Sequence, residues 1–261
     1  MPWTQLEIER RDAITIVRLN RPDAANALSR TLMLELIDCA EGFHDDVATR
    51  AVVFTGSGRH FCAGADLTED RLTAPTRLES RRRGRIGADL VRAVRGIAAP
   101  TVAAIEGAAL GGGACIATAC DFRIAAEDAY CGYPEVNLGM NLQWQALPLC
   151  VRLIGPARAK RMIGLGARHG AAELERWGFV DTVTPTGGAL EAALALAAEC
   201  AARPPLAIQM IKQSVNAVSD ALDAAIMHMD QDQFALAAAS DDFAEGIAAF
   251  RARRAPTFTG N

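Results

Sequence analysis

Residues 106–120 read EGAALGGGACIATAC. The run just before them, TVAAI at 101–105, follows Pro100 and is short and partly β-branched, which predicts a strand ending at Gly107. Gly111, Gly112 and Gly113 come next, and then a run of small residues that predicts a closely packed helix. A strand, a glycine-rich turn and a helix in that order point to an α/β fold. The first N–H groups of such a helix lack intrahelical acceptors and sit at the positive end of its dipole, so they can hold an oxyanion or a phosphate. Close helix packing is the other use of such small residues. Gly111 and Gly113 match the start of a dinucleotide fingerprint, but Ile116 stands where its third glycine belongs. No Gly-Lys-Ser/Thr follows, so the turn is not a P-loop.

Two further segments carry the same kind of signal. Residues 61–67, FCAGADL, follow a predicted strand at 51–55, and Ala63, Gly64 and Ala65 would let a ligand approach the backbone. Each turn can offer one N–H, and two donors aimed at one point form an oxyanion hole. Residues 130–140, YCGYPEVNLGM, place Glu135 in an otherwise uncharged run. A carboxyl among apolar neighbours has a raised pKa and can move protons near neutral pH, whereas a solvated loop Glu cannot. The absence of G-x-S-x-G excludes an α/β-hydrolase elbow.

Outward from these motifs, strands are predicted at 14–19, 122–125 and 180–183. Helices are predicted at 29–43, with Ser29 as N-cap, and at 86–98. From about residue 143 the pattern is mostly helical: 157–165, 171–177, 188–202, one long stretch at 206–239, and 242–253. The polar segment 68–84, with Arg81, Arg82 and Arg83, reads as a loop leading into a helix.

The 261 residues suffice for one large α/β domain. A hydrophobic share of 51% and a charged share of 22% exclude a disordered chain. The net charge of −4 argues against a nucleic-acid partner. The uncharged stretch 136–151 is broken by amides, Gly and Pro and does not read as a membrane span, and the N-terminus shows no signal pattern. A cytoplasmic protein with no membrane partner is expected. Seven scattered Cys and four His show no ligand spacing, so neither a disulfide framework nor a metal site is expected.

Together these segments resemble the crotonase (enoyl-CoA hydratase/isomerase) superfamily. The resemblance runs through IVRLNRPDAANAL at 16–28, FCAGADL, PTVAAIEGAALGGGACIATACD at 100–121 and YPEVNLGM. It continues in GPARAK at 155–160, WGFVDTV at 177–183 and FAEGIAAFRARRAP at 243–256. It implies an α/β core of repeated ββα units over 1–195 carrying an acyl-CoA site. It also implies a helical region at 196–261 through which subunits form a trimer or a dimer of trimers. CoA then enters as part of the substrate, and no separate cofactor is expected.

By the same resemblance, the Ala65 and Gly112 N–H groups hold the thioester oxygen and Glu135 transfers protons. Ala25, Ala63, Gly64, Asp66, Leu67 and Gly111 then lie along the substrate. Phe250 and Arg253 match an aromatic and a basic residue that reach the CoA of a neighbouring subunit, and the Arg81–Arg85 cluster is a second candidate for its phosphates. Hydratases of the family carry a second Glu two residues after the glycine triplet, where this chain has Cys115. One Glu suits a 1,3-proton shift better than hydration. Gln143 stands where some relatives carry another acid, and the amides at Asn137, Asn141, Gln143 and Gln145 hint at a polar or aromatic acyl group. Hydration with a substituted acid and a non-catalytic acyl-CoA binder remain the alternatives, with a Rossmann oxidoreductase a distant third.

Overall fold

The alternation Leu6, Ile8 against charged neighbours makes β1 (Leu6–Arg11), which turns through Asp12 at φ 52° and pairs antiparallel with β2 (Ile14–Leu19). The computed structural model describes residues 3–69 and 76–261. In its larger sheet β2 is followed by β3 (Ala51–Gly56), β4 (Thr101–Ile105), β6 (Phe122–Ala126) and β9 (Thr182–Thr184), each parallel to the last. A smaller sheet holds β5 (Ala108–Leu110), β7 (Tyr130–Gly132) and β8 (Arg168–Gly170).

The two sheets share their chain segments. Only Glu106 and Gly107 separate β4 from β5, and α4 (Gly112–Ala119) follows at once. After β6 comes β7 and then α5 (Leu147–Gly164), which kinks at Gly155 where φ is 76°. Each unit therefore gives one strand to each sheet before its helix, which is the expected ββα repeat. Residues 62 and 65 extend the smaller sheet through isolated bridges to Ala109 and Leu28.

Helices cover both faces. On one side α3 (Ile86–Gly96) packs between α1 (Arg30–Gly42) and α4, enclosing Leu32, Leu36, Phe54, Leu90 and Ile105. Ser29 caps α1 as expected, its Oγ accepting from the Leu32 N–H at 3.0 Å. On the other side α7 (Ala189–Ala201) lays Ala193 and Ala197 on Ile16, Val53 and Val102. The expected boundary at 195/196 falls within α7. After α6 (Ala171–Trp177) and α7 the chain is helical, as expected.

Several expectations need correction. The single helical stretch expected at 206–239 is three helices: α8 (Pro205–Ser219), α9 (Ala224–Met227) and α10 (Asp230–Ala238). It breaks where Ser219 Oγ turns back to the Asn216 carbonyl at 3.1 Å and Asp220 turns to Arg95, so side chains compete with the helix backbone. Within the segment read as a loop, α2 (Arg77–Arg83) is helical, with Thr76 Oγ1 accepting from the Glu79 N–H. Residues 70–75 of that segment lie outside the described residues. Strands β1, β5, β7 and β8 were not expected. The last three are three residues long, too short for a period to show. The last helix, α11 (Asp241–Arg251), follows α10 closely.

Candidate active site

The glycine turn at 111–113 and the turn at 63–65 meet face to face. The chain from 62 is laced to β5, with Cys62 N–H donating to Ala108 O at 2.9 Å and Leu110 N–H to Cys62 O at 3.0 Å. A Cβ added to Gly64 would lie 2.9 Å from Leu110 O and 3.7 Å from Gly112 N, so only glycine permits this approach. On either side of Ala65, Gly64 O accepts from Leu28 N–H and Asp66 N–H donates to Leu28 O. The Ala65 N–H itself is left without a backbone acceptor among the described residues. Gly111 N–H donates to Gly132 O, while Gly112 opens α4 and its N–H has no intrahelical acceptor. Two unspent donors thus flank one cleft.

Glu135 lies against the same turn. Pro134 starts a single 3-10 turn, Pro134–Leu138, which Gly139 ends at φ 70°. This turn sets the carboxyl over Gly111, where a Cβ would come 2.8 Å from Glu135 Oε1. The other oxygen, Oε2, is buried with no hydrogen-bond partner among the described residues. Burial pushes the carboxyl from its ordinary 4.5 up to about 7, with a backbone hydrogen bond opposing. A buried carboxyl with one oxygen unpartnered, titrating near neutrality beside a cleft, is suited to taking and returning a proton.

The cleft encloses about 450 Å³ and is lined mainly by apolar atoms. It brings together Ala63, Gly64, Ala65, Leu67, Gly111, Gly112, Cys115, Glu135, Gln143 and Phe250. Cys115 is 1% exposed; burial first, and the charge of Glu135 second, push its thiol well above the ordinary value. It is not a usable base or nucleophile.

Some expected residues stand elsewhere. Asp66 is buried at the edge of its turn, paired with Arg21 at 2.9 Å and accepting from Thr68, so it braces the loop and does not line the cleft. Ala25 also stands back from the cleft, its carbonyl accepting from Ala63 N–H at 2.9 Å. Arg253 does not line the cleft. Its neighbour Arg254 does, held by Glu245 at 2.5 Å, because α11 ends at Arg251 and the chain reverses at Arg253 with φ 53°. Phe250 lines the cleft of its own chain. The Arg81–Arg85 cluster does not reach this cleft; Arg81, which borders a neighbouring cavity, pairs with Asp232 at 3.1 Å.

Trp144, which the sequence reading passed over, also lines the cleft. Its only signal was a large aromatic among the amides of 137–145.

A glycine-framed cleft with two donors and one near-neutral carboxyl is suited to moving protons on carbon beside a carbonyl. The family model described as enoyl-CoA hydratase/isomerase matches residues 9–261, and the chain belongs to that family. It is 33% identical to the crotonyl-CoA hydratase of Syntrophomonas wolfei over 99% of both chains. It is also 33% identical to the 2,3-dehydroadipyl-CoA hydratase of Escherichia coli, over 98% of this chain and 99% of that one. Among solved structures, an enoyl-CoA hydratase from Mycobacterium avium subsp. paratuberculosis superimposes with a TM-score of 0.88 at 29% identity, covering 99% of this chain and 100% of that one. The protein is thus an acyl-CoA-processing enzyme of the enoyl-CoA hydratase/isomerase type. Among the described residues no helix is long and apolar enough to cross a membrane.

Proposed function

We propose that this enzyme shifts the double bond of a 3-enoyl-CoA to the 2-position. The Glu135 carboxylate takes a proton from the α carbon. The electron pair of that C–H bond delocalises, leaving a dienolate whose charge rests on the thioester oxygen. The Ala65 and Gly112 N–H groups hold that oxygen, and fixed donors in a dry cleft stabilise it without reorganising. Glu135 then returns a proton to the γ carbon, and the double bond comes to lie between the α and β carbons. The chain's own groups supply every step, and CoA enters as part of the substrate.

One observation carries this reading: among the described residues a single carboxyl, Glu135, lines the cleft, and the position of a second acid holds the buried thiol of Cys115. Phe250 and Arg254 are the proposed contacts for the CoA portion; Arg can pair with phosphate and stack on a purine. The proposed assembly is a trimer or a dimer of trimers, formed through the helical region.

Hydration is the second reading, favoured by the hydratase names of the relatives above. Incubation with a 3-enoyl-CoA and, separately, with a 2-enoyl-CoA in heavy water, followed by chromatography and mass spectrometry, separates the two. A 2-enoyl product from the first and no added water in the second are expected. An unchanged 3-enoyl-CoA together with a product carrying the mass of water from the 2-enoyl-CoA would overturn the one-acid argument. Glu135→Gln should lower turnover by on the order of 10²–10⁴-fold while acyl-CoA still binds. A wild type that binds acyl-CoA but turns none over would instead be a binder.

A further inference from the structure

We propose that Trp144 ends the acyl pocket and restricts the enzyme to short acyl groups; this rests on the reading of the cleft as an acyl-CoA site. The indole bridges two helices. A Cβ on Gly87 of α3 would fall 2.0–2.2 Å from Cε2, Nε1 and Cδ2 of its five-membered-ring side. A Cβ on Gly112 of α4 would fall 2.3 Å and 2.6 Å from Cζ3 and Cη2 at its far edge. Neither glycine has a positive φ, so the backbone does not demand glycine at either position. The ring does. Trp144 is 9% exposed, and its far edge rests on the residue whose N–H is the proposed oxyanion donor.

The ring is also held in place from behind. Trp144 and Gln145 are consecutive left-handed residues, with φ of 68° and 61°, a costly conformation for both. The Asp230 carboxyl accepts the Gln145 N–H at 3.0 Å, which holds that turn. Beside the indole lies a second cavity of about 350 Å³, bordered by Ala88 and Met227 but mostly by charged and amide groups, among them Arg85, Gln145 and Asp230. Gln143 and Trp144 line both spaces, and the indole is the bulkier part of the wall between them. An acyl chain that passes Glu135 meets the indole, and removing the ring joins the two spaces.

The test is equilibrium binding by calorimetry of two unreactive thioesters, butyryl-CoA and decanoyl-CoA, to wild type, Trp144→Ala and Trp144→Phe. Wild type is expected to prefer butyryl-CoA. Trp144→Ala should gain affinity for decanoyl-CoA by up to about fourfold for each methylene the second cavity admits, the polar part of its lining lowering the gain. Trp144→Phe keeps most of the packing and should fall between, so it carries the test should the Ala variant not fold. An unchanged ratio of the two affinities in the Phe variant, with CoA itself bound as before, would overturn the proposal, because the chain then leaves along another wall. Since the readout is binding, a hydratase in place of an isomerase leaves it unaffected. Failure of wild type to bind either thioester would overturn both this proposal and the acyl-CoA reading.

Discussion

Glu135 decides how the enzyme depends on pH. In the unfolded chain its carboxyl titrates near the ordinary 4.5, and in the folded protein near 7. Between those values the folded state holds a proton that the unfolded chain has lost, so stability falls as pH rises across that window. The cost is complete above pH 7 and is on the order of 3 kcal/mol. Glu135→Gln, which carries no charge, should therefore unfold at higher denaturant than wild type at pH 8, with no difference at pH 4. Equal curves at both values would mean the carboxyl is not buried as described. As the proposed base, the same group should set activity: kcat/KM for a 3-enoyl-CoA is expected to rise with pH through about 7 as it loses its proton. Glu135 was legible because a lone charge in an apolar run is conspicuous. Trp144 was not, since nothing in the linear order shows that Gly87 and Gly112, far apart in the chain, converge on one ring.

At the scale of elements, the glycine triplet illustrates what a sequence can and cannot disclose. The strand-turn-helix order around it was readable. The reason for each glycine was not: Gly111 accommodates Glu135, Gly112 the indole, and Gly113 the Cys62 carbonyl, which a Cβ would approach to 2.4 Å. The ββα arrangement came from resemblance, because strands of three residues leave no period to detect. The break after α8 depends equally on distant partners. Arg95 and Arg152 meet Asp220 at 2.7 Å and 2.9 Å, and Lys212 meets Asp121 at 2.7 Å, fastening α8 to the core. Burial raises the pKa of Asp220, but the hydrogen bonds and charge of Arg95, joined by Arg152, outweigh it and hold the carboxyl below its ordinary value. The resulting stability is present above the unfolded pKa and is lost as pH falls through the lower, folded one. Asp220→Asn should cost about 1–2 kcal/mol at pH 7, the partial exposure of the network limiting its worth, and progressively less in acid. A thermal melt series across pH checks this, and a constant difference down to pH 2 would assign the loss to packing.

For the whole molecule, the apolar residues left uncovered gather on the last helices. Ile211, Val215, Val218 and Leu222 recur at helical spacing along α8 and just past its end, and Val218 and Leu222 are each 81% exposed. A row of this kind is rare on a lone subunit and suits contact with other copies of the chain. Light scattering after size exclusion should give the mass of three or six chains, and Val218→Asp should lower it. A wild type that elutes as one chain would leave the row without that role. The surplus of apolar residues in these helices was visible in the sequence, but which of them face outward needed the breaks at Asp220 and His228.

The docking of α11 has a further consequence. Gly246 allows the helix to lie against Leu138, where a Cβ would come within 2.5–2.7 Å, and Gly139 is pressed as closely on Asp242. The turn bearing Glu135 is therefore clamped by a segment made more than a hundred residues later. A nascent chain whose core strands have already paired still lacks a seated base until residues 241–251 have been synthesised. If Glu135 is the base proposed above, its seating waits on the arrival of one helix and not on the closure of the sheets.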